Sequence, residues 1–415
     1  MNETEHVVDL VVAVHAADRP VGRAVRSALD GSGSLVRVTV VCHDVGITTI
    51  ADQLALTPEE HRHVRLLGYQ DHVRSPAGPF NHGLDNTSAE FVAVMGSDDQ
   101  LEPGALSAWL DVARERGSDV VLAPLRGPDG RRLHNPLVRP GAGGPGRRGA
   151  APLDPVADRL AYRSAPLGLL RRATVRRLGL RFTEGMATGE DLAFSTALWF
   201  SGARIDMATG TPSYRIGGDA TDRVTSVRRS VADELAGVDD LLARVLREGG
   251  LAERMRPSER RALAVKVLRI HVLGALARRP ADADWTGGDA AALRRTARAW
   301  LALAPAAVRA FARADRDALD AVVGTDVAVG PSGSAGTAGA GDASGASGGS
   351  ARGARDDAGT SAAQDGDVAL ARTLAAAARR LARAGRVATL LPRDLPDVLD
   401  PESTVRRYVR YRLPW

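Results

Sequence analysis

Hydrophobic and polar positions alternate in blocks along the first half of the chain. Val7 to Val14 is almost continuously apolar and β-branched, the pattern of a parallel strand buried on both faces. Asp18 as N-cap, Pro20 in the first turn, and Val21, Ala24, Val25, Ala28 and Leu29 at helical spacing then predict a helix. A second apolar strand runs from Val36 to Val41 and ends at Cys42, His43 and Asp44; a third is expected around Val64 to Leu67. The fourth, Phe91 to Met95, stops at Gly96, Ser97, Asp98 and Asp99, with Pro103 opening a helix that carries Leu106 and Leu110. Asp119 to Ala123 supplies a fifth strand. Strands alternating with helical patterns predict an α/β fold with a mostly parallel sheet flanked by helices, whose ligands collect beyond the carboxyl ends of the strands. His15, Asp44, Asp98 and Asp99 fall at such ends.

Gly127 to Pro152 is rich in Gly, Pro and Arg and reads as an irregular flap. Periodic structure resumes at Leu167 to Leu170, followed by helices over Arg171 to Leu178 and from Asp191 through Trp199, the latter ended by Gly202. From Val231 to Val323 the pattern is helical and rich in Ala, Leu and Arg. The division expected is an α/β domain over 1–230, an all-α accessory unit over 231–329, a flexible linker over 330–367 and a C-terminal helical segment over 368–415. Asp367 is the expected cap of that last helix, and the chain finishes in the basic, aromatic run RRYVRYRLPW.

Composition narrows the chemistry. The 55 Lys and Arg against 50 Asp and Glu leave a formal charge of +5, and Lys266 is the only lysine. An anionic partner suits that balance. Nucleic acid is disfavoured, because aromatics are only 4% and the arginines are interspersed with acids. Cys42 is the only cysteine, which excludes an intrachain disulfide and a cysteine metal site. The N-terminus reads as a first strand, not a signal peptide, and no stretch approaches the ~20 apolar residues that cross a bilayer. A cytoplasmic protein is expected, at most peripheral on the inner face of a membrane through its basic C-terminus.

Two carboxylate pairs stand out. Asp98 and Asp99 follow a strand directly, where they serve either as a helix cap or as oxygen ligands for Mg²⁺ or Mn²⁺ on a diphosphate. Glu190 and Asp191 precede an apolar helix, either as a capping pair or as a general base facing an acceptor hydroxyl.

In context these segments resemble glycosyltransferase family 2. Its members carry an Asn-x-Gly-Leu run, a strand, Asp-x-Asp-Asp-x-Leu-x-Pro, and later Gly-Glu-Asp at a helix start. Here these read Asn81, Gly83 and Leu84, then Phe91 to Met95, then Gly96 to Pro103 with Gly96 replacing the first Asp, and later Gly189, Glu190 and Asp191. The resemblance implies a GT-A fold and an inverting transfer from a nucleotide-sugar, UDP-sugar favoured, to a glycan or glycolipid-type acceptor. Asp191 is then the base, Glu190 its orienting neighbour, and Asp98 with Asp99 the metal ligands. His15, Asp44, Asn81, Ser97, Asp98 and Arg223 would contact the donor. Arg215 and Arg223 of SYRIGGDATDRVTS read equally as solvated surface charges. The first two strands depart from the family at the nucleotide end, with His15 and Cys42-His43-Asp44 in place of its usual Asn and Asp runs. Gly96 and these changes also motivate an alternative, a catalytically degenerate scaffold in a glycan-assembly complex.

Overall fold

The structure, a computed structural model, describes residues 6–139, 151–218, 229–286, 288–324 and 355–412. It divides into two compact units, the first comprising Met1–Arg229, Ala236–Lys266 and Arg407–Trp415, the second Ser230–Leu235 and Val267–Arg406.

The first unit is built on a seven-stranded sheet. Its strands are β1 (Val8–Val14), β2 (Val36–His43), β3 (Val64–Tyr69), β4 (Phe91–Gly96), β6 (Val120–Leu122), β9 (Gly168–Arg171) and β10 (Ile205–Met207), in the order β10-β6-β9-β4-β1-β2-β3. β9 alone runs antiparallel, to β4 and β6. A small second sheet joins β5 (Gln100–Leu101), β11 (Tyr214–Arg215), β7 (Leu125–Arg126) and β8 (Arg132–Leu133). The last of these falls in the stretch read as an irregular flap, whose residues 140–150 lie outside the described ones.

Both faces of the central strands are covered. Leu10, Val12 and Val14 of β1 join a core with Val21, Ala24, Val25 and Ala28 of α1 (Val21–Leu29). Helix α2 (Ile47–Leu54) adds Ile50 and Leu54 to that core. On the other face Val11 meets α3 (Ala77–Asp85), where a Cβ at Gly83 would collide with its methyl groups. Helix α4 (Ala105–Arg116) contributes Leu106, Trp109 and Leu110. Asp9, fully buried within β1, accepts from Arg37 at 2.7 Å and from the backbone amides of Ser88 and Ala89 at 2.7 and 2.9 Å. Burial raises the pKa of this carboxyl, but Arg37 and the two amides outweigh it and hold it below the ordinary value. Asp18 is not the cap of α1; Pro20 takes that position and no side chain caps the helix.

Helices α5 (Arg172–Arg177) and α6 (Leu192–Trp199) follow β9. The expected domain boundary at residue 230 is corrected by α7 (Val231–Leu246), α8 (Leu251–Arg254) and α9 (Pro257–Lys266), because residues 236–266 belong to the first unit. The close approach that joins them is glycine on glycine: a Cβ at Gly237 would lie 3.0 Å from Gly189 Cα.

The second unit is helical. A π-helical turn, Val267–Val272, leads into α10 (Leu273–Ala277), followed by α11 (Asp289–Leu303), α12 (Arg313–Val323), α13 (Arg355–Arg383) and α14 (Arg386–Leu390). Glu234 ties it together, accepting from Arg278 at 2.7 Å and from the buried Arg279 at 3.0 Å. Helix α13 starts at Arg355, within the tract expected to be linker, so Asp367 lies inside a helix and not at its cap; residues 330–354 lie outside the described ones. The chain ends in α15 (Thr404–Arg412), where Arg407 stacks on the Tyr162 ring at 4.4 Å. Among the described residues no helix is long and apolar enough to cross a membrane.

Candidate active site

The strand order fixes where a ligand belongs. β1, β2 and β3 lie side by side in sequence order, and β4 then returns to the other side of β1. The crevice of such a sheet opens at that reversal, beyond the carboxyl ends of β1 and β4. His15 is exposed just after β1, and Ser97 and Asp98 just after β4. Across the mouth, Arg19 donates through Nε to Ser97 Oγ at 3.2 Å and through NH2 to Asp98 Oδ1 at 3.1 Å, while Arg23 donates to the Asp98 carbonyl at 3.0 Å. Asp98 retains 13% side-chain exposure. Arg19 and Arg23 were not singled out from the sequence, although their place directly after the first strand, in ADRPVGR, is the signal that marks them.

Asp99 turns the other way. Its Oδ2 accepts from the buried Tyr214 hydroxyl at 2.5 Å and its Oδ1 from the Gly217 amide at 2.7 Å, fastening β11 to the turn after β4. Desolvation by burial raises its pKa, with the Asp98 charge acting in the same direction. Both oxygens being engaged, Asp99 is placed as an anchor, which departs from the expected two-carboxylate ligand set. Gly96 belongs to the same arrangement, since a Cβ there would lie 2.7 Å from Asp99 Oδ2. A side chain at Gly96 would therefore push on the carboxylate that holds Tyr214 and Gly217. Gly217 must also lack a side chain, because its Cβ would collide with the Asp98 carbonyl oxygen. Arg223 lies outside the described residues.

At the next two strand ends, His43 of β2 lies 2.7 Å from Asp71 Oδ1 and 3.3 Å from Asp44 Oδ2, and Asp44 accepts from the His72 amide at 2.9 Å. Asp44 holds φ +53°, a left-handed conformation that a non-glycine residue adopts at a cost. Tyr69, closing β3, packs its ring between those of His43 (5.7 Å) and His82 (5.4 Å). Asp71 escaped the sequence reading because the loop after β3 has no periodicity, and Tyr69 because the expected third strand ended at Leu67.

Asn81 is 5% exposed. Its amide donates to the Phe182 carbonyl at 3.0 Å and to Glu184 at 2.8 Å, and its Oδ1 accepts from the Phe182 amide at 3.0 Å. Phe182 in turn stacks on Phe194 of α6 at 4.6 Å. Asn81 thus holds Phe182, whose ring packs on the helix that Asp191 opens. A cleft of about 360 Å³ runs along α3, lined among others by Tyr69, His82, Arg181, Glu184 and Arg244.

Asp191 occupies the N-cap position of α6 without spending its carboxylate on a helix amide. Burial raises its pKa and the nearby Lys266 charge opposes the rise. Burial, with the Asp191 charge added, pushes Glu190 up to about 7. Because the folded value lies above the ordinary 4.5, the stability that protonated Glu190 contributes is present below that value and lost as pH rises through about 7. Wild-type unfolding free energy should fall by on the order of 3 kcal/mol over that window from this group. Glu190→Gln should lack this slope in denaturant titrations, and an unchanged slope would refute the protonated Glu190.

Residues 9–178 match the family model described as glycosyl transferase family 2. This segment belongs to that family. The succinoglycan biosynthesis protein ExoO of Rhizobium meliloti is 27% identical over 258 residues, covering 60% of this chain and 71% of that protein. A poly(ribitol-phosphate) beta-glucosyltransferase of Bacillus spizizenii is 18% identical over 208 residues, 50% of this chain, which spans 32% of that longer protein. The crystal structure of S. aureus TarS 1-349 in complex with UDP-GlcNAc superposes with a TM-score of 0.61 at 17% identity, covering 76% of this chain and 86% of that one. At that identity the likeness is one of fold, and the first unit has the GT-A architecture.

Proposed function

We propose that this family 2 chain transfers a sugar from a nucleotide-sugar, a UDP-sugar favoured, to a hydroxyl of a glycan or glycolipid-type acceptor, with inversion. The observation that carries the reading is the separation of two carboxylate sites: Asp98 at the reversal of the sheet, paired with Arg19, and Glu190–Asp191 at the start of α6. In this reaction the acceptor hydroxyl gives its proton to Asp191, its oxygen bonds to the anomeric carbon, and the bond from that carbon to the diphosphate oxygen breaks. Arg19 and Arg23 supply positive charge where the diphosphate leaves. The UDP-GlcNAc bound to TarS supports a uridine donor, and the His43, Tyr69 and Asp71 group beyond β2 and β3 offers a ring and hydrogen-bonding groups for its base.

A divalent Mn²⁺ or Mg²⁺ fits this mouth through one hard oxygen ligand, Asp98, and not through Asp99, whose oxygens serve Tyr214 and Gly217. When bound, the ion would neutralise charge on the departing diphosphate. The cytoplasmic face of a membrane, reached through the basic C-terminal run, is the location that suits a glycolipid-type acceptor.

The inward Asp99 and the missing carboxylate at Gly96 favour a second reading, a scaffold that binds donor without turnover. Incubating the full chain with UDP-sugars and Mn²⁺ without acceptor separates the two. Release of UDP, with a thermal shift for one donor, is expected; donor binding with no UDP release, with or without glycan acceptors, would favour the scaffold.

A further inference from the structure

Beyond the carboxyl ends of β2 and β3, two carboxylates converge on one ring nitrogen. His43 Nε2 lies 2.7 Å from Asp71 Oδ1 and 3.3 Å from Asp44 Oδ2, and one ligand atom from each of the three residues lies within 4.8 Å of the other two. A neutral imidazole carries at most one N–H at that nitrogen and donates it in one direction. Two anionic oxygens around it call for a cation: a proton on the ring, or a metal ion in place of the Nε2 proton.

Spacing, support and access all fit a metal. In a four-coordinate site with bonds of about 2.0–2.2 Å the ligand atoms stand about 3.3 Å apart, which is the separation of His43 Nε2 from Asp44 Oδ2. The His43–Asp71 contact would open by about half an ångström to reach it. Each carboxylate is also held from outside the cluster. Asp71 Oδ1 accepts from the Val73 amide at 2.9 Å, Asp44 Oδ2 accepts from the His72 amide at 2.9 Å, and the Tyr69 hydroxyl donates to Asp71. Gly78 leaves room for that last bond, since a Cβ there would lie 2.6 Å from the Tyr69 hydroxyl oxygen and 2.8 Å from Asp71 Oδ2. Partners of this kind orient the ligands of metal sites. His43 is buried and its ring fixed, whereas the Asp44 and Asp71 side chains are 26% and 22% exposed and leave an ion a way in. Asp44 and His72 both hold left-handed φ, +53° and +57°, a backbone cost that clusters at ligand sites.

We propose that His43, Asp44 and Asp71 bind a divalent transition-metal ion, Zn²⁺ by the chemistry of the set, at strand ends other than the one that carries Asp98. An imidazole nitrogen with two carboxylate oxygens suits Zn²⁺, whereas Mg²⁺ and Mn²⁺ favour oxygen ligands such as Asp98. Three protein ligands leave the fourth position to water. The ion site stands without the transfer reading, but one consequence rests on it. His43 and Asp71 belong to the group that faces the donor base in that reading, so Zn²⁺ seated there and a uridine donor exclude each other.

Calorimetric titration of the tag-free full chain with Zn²⁺ alone tests the site. One equivalent should bind, and X-ray absorption at the zinc edge should show an imidazole among oxygen ligands. Losing a ligand costs more than the ~10 to 100-fold typical of an outer partner, so His43→Ala should weaken Zn²⁺ more than about 100-fold and Tyr69→Phe about tenfold. Asp71→Asn lies in a loop and should match His43→Ala, which covers the case of a β2 variant that does not fold. Asp98→Asn should bind Zn²⁺ as wild type does. Wild-type affinity in folded His43→Ala and Asp71→Asn would overturn the proposal and move the ion elsewhere, for instance to the His6–His63 pair, whose ring nitrogens lie 3.1 Å apart. Absence of any bound Zn²⁺ would overturn it too. In Asp98→Asn, Zn²⁺ at about ten times its Kd should weaken the binding of a UDP-sugar about tenfold by competition. Unchanged donor affinity with the ion in place would move the base away from this group and leave the ion site standing.

Discussion

Asp191→Asn should lower sugar transfer ~10² to 10⁴-fold, the usual worth of a general base, while changing donor affinity by less than about twofold. A carboxamide matches the carboxylate in size and keeps a carbonyl oxygen, but it does not take up a proton near neutral pH. The fold should survive, because the bonds that hold α6 run through Asn81, Phe182 and Phe194 and not through the Asp191 carboxylate. Donor affinity should survive too, because the Arg19–Asp98 mouth lies at the ends of β1 and β4, not at the start of α6. Calorimetric donor titration beside initial rates checks both halves of the expectation. Undiminished transfer would remove Asp191 from the mechanism, and a parallel loss of donor binding would make its role structural.

What the sequence revealed of this arrangement follows from the range of the forces involved. β1 was expected over Val7 to Val14 and is observed over Val8–Val14, because a nearly continuous apolar run is buried most simply on both faces of a parallel sheet. β2 runs two residues past the expected Val41 to His43, and that extension carries the histidine into the group at the mouth. Helix α3 gave no such signal. Its AGPFNHGLD contains two glycines and a proline, all poor helix formers, and it forms because Gly83 lets the helix lie directly on Val11. Local propensity yields there to a tertiary contact. The motif residues were legible as types: Asp98 is at the mouth and Asp191 opens a helix. Their partners were not legible, because Arg19 reaches Asp98 across 79 positions and Asn81 reaches Phe182 across 101. No periodicity encodes such pairs. Nor could the sequence show that Asp99 turns inward, since that depends on a tyrosine 115 positions away.

Asp98→Asn should abolish most of the Mn²⁺ dependence of donor binding, weakening affinity in the presence of the ion tenfold or more, about 1.4 kcal/mol. A hard cation prefers an anionic oxygen, and the amide offers only a neutral one. The Asp98 side chain also restrains Arg19, so its neutralisation has a second effect of opposite sign. With the competing carboxylate gone, Arg19 is freer to pair with the donor diphosphate, bidentately where geometry allows. In chelator, therefore, the variant should bind donor at least as well as wild type. The expected signature is loss of the metal effect, not loss of binding, and it distinguishes a ligand from a residue that shapes the mouth. Asp99→Asn offers the contrast. Its Oδ1 and Oδ2 hold Gly217 and Tyr214, so replacing one oxygen by an amine sets donor against donor and should cost about 1–3 kcal/mol of stability while sparing the ratio of affinities with and without Mn²⁺ in the folded fraction. Donor titrations of both variants, with Mn²⁺ and with chelator, decide the point: an unchanged Mn²⁺ effect in Asp98→Asn would leave Arg19 and Arg23 to meet the diphosphate without a metal.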